Sequence, residues 1–101
     1  MKLVVDYSLE GFGLSKAALA CLGLNGTDFL FADWDAVRTD SRLLAFIEEN
    51  GLEAAAGKRG RLAVVDIPNE ATDWRVVPNP YRETVLYVLD GKIREIPHPD
   101  D

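Results

Sequence analysis

Glu10-Gly11-Phe12-Gly13-Leu14-Ser15-Lys16 joins the apolar run Leu3-Val4-Val5 to an alanine-rich stretch. A strand, a glycine turn and a helix start form the setting in which free backbone amides hold a phosphate. The spacing completes no such cradle. A dinucleotide fingerprint needs glycine where Lys16 stands, and a nucleoside-triphosphate loop needs a longer spacer before a Gly-Lys pair. Asp6 and Glu10 also bring negative charge to the place an anion would take. The residues read better as a shaped turn. Gly11 and Gly13 supply backbone angles that other residues resist. Phe12 packs inward against Tyr7, Leu9 and Leu14, because an exposed phenylalanine needs a partner.

No other set of residues assembles a catalyst. The single histidine, His98, lies between Pro97 and Pro99 in a tail, where nothing rigid would aim it. Ser8, Ser15, Ser41, Thr27, Thr39, Thr72 and Thr84 therefore lack an activating base and serve as caps and turns. Asp33, Asp35 and Asp40 can gather around Arg38, and Asp66, Glu70 and Asp73 flank a second turn. Such groups can hold Mg²⁺ with a phosphate substrate, but solvated acidic loops with Arg38 paired to Asp40 are the simpler expectation. Cys21 has no second cysteine and no neighbouring histidine, so neither an internal disulfide nor a metal site is expected. Its apolar neighbours suggest a small buried hydrophobe. The chain is expected to be no enzyme and to use no cofactor.

The elements that must position these residues follow from pattern and punctuation. Lys2–Asp6 reads as a strand of branched residues. A helix starts after Ser15 as N-cap and stops at Gly23. Asn25-Gly26 marks a turn before a second strand, 28–32, and 33–38 reads as loop. Asp40 or Ser41 opens the strongest helix, which carries Leu43, Leu44 and Ile47 on one face and closes at Asn50-Gly51. Residues 52–56 extend it by a turn. Lys58-Arg59-Gly60-Arg61 is a solvated basic loop, 61–67 a strand ended by Pro68, and 74–77 a strand reaching Pro78. Thr84–Leu89 and Lys92–Ile96 flank Asp90-Gly91, the strongest local hairpin signal available. The expected fold is α+β, one small domain over 1–97 with an acidic tail at 98–101. Its antiparallel sheet has about four or five strands with two helices, in the order β-α-β-α-β-β-β.

With 101 residues the chain fits one domain with a single core. A net charge of −6 opposes direct binding to nucleic acid phosphates and favours basic partners. No apolar run approaches the roughly 20 residues that span a bilayer, and Asp6 interrupts any signal-peptide core, so a reducing cytosol is the expected setting.

Three stretches, "SLEGFGLSKAAL", "VRTDSRLLAFIEENGLEAAAGKRGRLAVVDIPNEATDW" and "RETVLY", together resemble a group of small proteins encoded by phages and prophages. That group carries a Gly-Gly-Phe-Gly-Leu-Ser signature between a first strand and a helix. Its second pattern is Arg-x-Asp, a helix bearing Leu and Glu, a glycine, then a strand ending in Ile-Pro and an Asp-Trp. Glu10 stands here where the group has glycine, and Ser41 where it has proline. The resemblance implies an accessory protein of a mobile element, working in the host cytoplasm. The concrete expectation is an anti-CRISPR-type inhibitor whose acids block a basic DNA-binding surface of a CRISPR effector subunit. Glu10, Phe12, Asp33, Asp35, Glu48, Glu49 and Glu53 are the expected partner contacts. Two alternatives stay open: a nucleotide- or Mg²⁺-dependent enzyme at the Gly11–Gly13 loop, and a homodimer sealed by Trp34, Trp74 and a hairpin edge.

Overall fold

The computed structural model describes residues 1–8, 12–77 and 82–98. The fold is α+β, with five antiparallel strands in two sheets and four α-helices among the described residues. Strand β1 (Lys2–Asp6) pairs with β2 (Leu62–Asp66), placing Val4 opposite Val64 and Val5 opposite Ala63. Strands β3 (Asp73–Val77), β4 (Thr84–Leu89) and β5 (Lys92–Glu95) form the second sheet in that order.

Alternation along β1 sends its residues into two cores, since successive side chains leave a strand on opposite faces. Val4 joins Leu62, Ala18, Leu22, Val37, Leu43 and Ala55 in a core shared with the helices. Leu3 and Val5 face the other way and join Ile67 and Val85, with Trp74, Val76 and Tyr87 of the second sheet packed alongside. The first sheet is thus the middle of three layers. This explains why Leu3, Val4 and Val5 read as a continuous apolar run and are all fully buried.

Helix α1 (Lys16–Cys21) begins where the Ser15 hydroxyl accepts from Ala18 N, and Gly23 follows it at φ +74°. Helix α2 (Trp34–Arg38) occupies residues expected as loop. Its cap is Asp33, whose carboxylate accepts from Ala36 N, which supplies the start signal that so short an element conceals. Helix α3 (Ser41–Asn50) is capped by Asp40, and α4 (Leu52–Ala55) adds the further turn after Gly51 at φ +92°. Asp90 and Gly91 both take positive φ, as a two-residue hairpin loop requires.

One expected strand is a 3₁₀ turn. Asp28–Phe31 is held by the Asp28 carboxylate, which accepts from Asn25 N at 3.2 Å. Cys21 is exposed rather than buried; its thiol donates to Arg42 O at 3.7 Å. His98, expected in the tail, is buried, its ring 4.2 Å from that of Tyr7 in an edge-on contact. Trp34 and Trp74 pack against the two cores, so they do not form an exposed seam.

Candidate functional site

Asp6 ends β1 fully buried, and a carboxylate in that position must be satisfied internally. It accepts from the backbone N–H of Ser8 at 2.8 Å, of Arg61 at 3.1 Å and of Gly13 at 3.3 Å. The glycine turn and the basic turn at 58–61 are therefore gathered onto one internal anion. Gly60 permits this approach, because a Cβ there would lie 3.1 Å from the Asp6 carboxylate and 3.2 Å from Ala56 Cβ. Gly13 carries no such demand: its φ lies outside the left-handed region and an added Cβ meets nothing within 4 Å. The expected need for special backbone angles at Gly13 is thus replaced by a close approach at Gly60. Gly11 and Glu10 lie outside the described residues.

This arrangement bears on the phosphate question. Amides at the mouth of the turn point at Asp6, so the seat an external anion would need holds the protein's own carboxylate. An incoming phosphate would have to displace it against like charge.

Beside Asp6 lies a buried ion pair. Arg38 and Glu83 meet through both guanidinium nitrogens and both carboxylate oxygens, with side chains only 8% and 11% exposed. Arg38 Nη1 also donates to Val4 O at 3.2 Å, and Glu83 accepts from Asp6 N at 2.8 Å. The guanidinium lies 4.2 Å from the centre of the Phe12 ring, and Phe12 meets Trp34 edge-on at 5.7 Å. Phe12 therefore packs inward, but in the helix-side core with Trp34, Arg38 and Leu14, not on the expected Tyr7, which belongs to the other core. Leu9 lies outside the described residues. Arg38 does not pair with Asp40; Arg42 takes that partner, in the two-pronged contact at 2.9 and 3.1 Å that closes the start of α3. Burial raises the pKa of the Tyr7 phenol, which Arg82 opposes and Glu83 reinforces.

The remaining expected contacts lie outside this interior network. Asp33 and Asp35 sit at the start of α2, Glu48 and Glu49 on α3, and Glu53 on α4, all exposed. Residues 28–56 contain seven acids and two basic residues, Arg38 and Arg42. Arg38 is consumed by Glu83 in the interior and Arg42 by Asp40. Six exposed carboxylates, Asp28, Asp33, Asp35, Glu48, Glu49 and Glu53, are left, and none makes an ion pair among the described residues. Most of the chain's net charge thus belongs to its helical part.

The chain matches no protein-family model, no curated protein and no solved structure. Among the described residues no group of His, Cys, Asp and Glu could hold a metal ion, and no helix is long and apolar enough to cross a membrane. Sequence reasoning missed Glu83 entirely. It stands 45 positions from Arg38, and no local spacing announces such a pair.

Proposed function

We propose that this protein works by docking, presenting the acidic surface of α2, α3 and α4 to a basic surface on another protein. The observation that carries this reading is the fate of the two arginines between residues 28 and 56. Both are neutralised within the chain, so the outward field of this segment is that of six unpaired carboxylates. Such a surface opposes lysines and arginines meant for phosphate, speeds their encounter and needs no bond chemistry. Rigid caps at Asp33 and Asp40 hold the helices that carry it.

The most concrete form of this reading is an accessory protein of a phage or mobile element acting in the host cytoplasm. It would occupy the basic DNA-binding groove of a CRISPR effector subunit. Support comes from the acidic surface together with the "EGFGLS" and "IPNEATDW" stretches described above. The test is capture of purified effector subunits combined with phage plating on an immune host. Binding and restored plating, both lost with Glu48→Lys/Glu49→Lys, are expected. Absence of both from the wild type removes the effector as the partner.

A further inference from the structure

Three of the four residues of the 3₁₀ turn are the most conspicuous apolar surface among those described. Phe29 is 39% exposed, Leu30 65% and Phe31 87%. Contiguous large apolar side chains in water mark a contact surface. Immediately beside this knob is an apolar hollow of about 430 Å³, walled by Leu19, Leu24 and Phe29 and bordered by Lys16, Asn25 and Gly26. Phe29 belongs to both features: its half-buried ring forms one wall while Leu30 and Phe31 project beyond it.

A knob and a hollow side by side on one surface have the property that a two-fold contact demands. Each copy gives its knob to the other's hollow, so residue i meets j and j meets i. We infer that the protein forms an isologous homodimer in which Leu30 and Phe31 of each chain enter the Leu19–Leu24–Phe29 hollow of the other. Charge favours this over knob meeting knob. Asp28, Asp33 and Asp35 flank the projecting residues, and no Lys or Arg occurs from Asn25 to Val37. Two knobs face to face would set these acids against each other. In the reciprocal arrangement they approach Lys16, the exposed cation at the rim of the hollow. An aromatic side chain buries about 150–250 Å², so the two reciprocal phenylalanines supply about 300–500 Å², a small part of the roughly 1,200 Å² at which stable interfaces begin. Association is accordingly weak and concentration-dependent. It shares Asp28, Asp33 and Asp35 with the acidic-surface reading but not Glu48, Glu49 and Glu53, which lie on other elements, so Glu48→Lys/Glu49→Lys tests that reading alone.

Sedimentation velocity from about 1 μM to about 1 mM tests this on the whole chain. The wild type is expected to pass from monomer to dimer. Leu30→Ser/Phe31→Ser should weaken it by roughly tenfold or more. Both residues face solvent, so an unchanged circular dichroism spectrum will show that the variant folds. Lys16→Glu should also weaken it, whereas Lys2→Glu, the same change of net charge away from the hollow, should weaken it less. A wild type that stays monomeric overturns the inference. So does a dimer indifferent to Leu30→Ser/Phe31→Ser, or one that responds equally to the two lysine variants.

Discussion

Arg38 and Glu83 together take the place of a neighbouring strand on β1. The guanidinium donates to Val4 O and the carboxylate accepts from Asp6 N, the two groups that β1 turns away from β2. Tyr7 N donates to Arg61 O and Met1 and Ile67 exchange bonds, which places the odd-numbered residues on the β2 side. The edge is thus closed by side chains, an unusual answer to the exposure that edge strands present.

Breaking the pair from one side should therefore be costly. Glu83→Ala leaves a buried guanidinium and frees Asp6 N, and Arg38→Met strands the carboxylate. Each is expected to cost about 3–5 kcal/mol. The paired replacement Arg38→Met/Glu83→Leu should cost well under the sum, because no charge is then left alone. Urea unfolding of the four chains gives the comparison as a double-mutant cycle.

Asp6→Asn offers one amide oxygen where the carboxylate serves three amides, and turns an N–H₂ donor toward N–H groups. A loss of about 1–3 kcal/mol is expected. Hydrogen exchange should speed at Ser8, Gly13 and Arg61 more than along β4. Uniform acceleration across the molecule would contradict the local role assigned to Asp6.

The two glycines of this region should respond differently. Gly60→Ala drives a methyl against Asp6 and Ala56, and is expected to destabilise by about 1–3 kcal/mol. Gly13→Ala meets open space at an ordinary φ, so it should be neutral or stabilise by up to about 1 kcal/mol. Thermal melts suffice, since 1 kcal/mol moves the midpoint of a domain this size by about 4–8 °C.

Acid should loosen α3 through its cap. The Arg42 side chain, hydrogen-bonded to Asp40, holds that carboxyl below its usual pKa. A depressed folded pKa means that the stabilisation is present above the unfolded value, about 3.9, and fades as pH falls through the folded one. Asp40→Asn keeps a capping oxygen but cannot titrate. It should be slightly less stable than wild type at pH 7 and converge with it once pH falls below the depressed Asp40 pKa. Asp40→Ala should lose about 0.5–2 kcal/mol at neutral pH.

Charge reversal on the acidic surface should act on rates. Glu48→Lys/Glu49→Lys is expected to lower the association rate with a basic partner and flatten its salt dependence, with little change in the dissociation rate. Unchanged binding at low salt would remove both residues from the contact.

Local chemistry by itself determined much of this molecule. Ser15 and Asp40 as caps, Gly23 and Gly51 as stops, and the Asp90-Gly91 hairpin are all readable because each depends on residues within a few positions of one another. The apolar stripe of α3 and the strands at 62–66, 73–77 and 84–89 are readable for the same reason. Asp28–Phe31 misleads because the apolar run Phe29-Leu30-Phe31 suits a strand but specifies no partner for one. Only the tertiary structure decided that Arg38 belongs to Glu83 rather than Asp40, that Asp6 gathers two distant turns, and that Phe31 stands in water. A buried charge takes whichever partner the packed layers bring within reach, and chain separation leaves no trace of that choice in local pattern. The same packing spends the arginines of the helical part internally and leaves its carboxylates facing out.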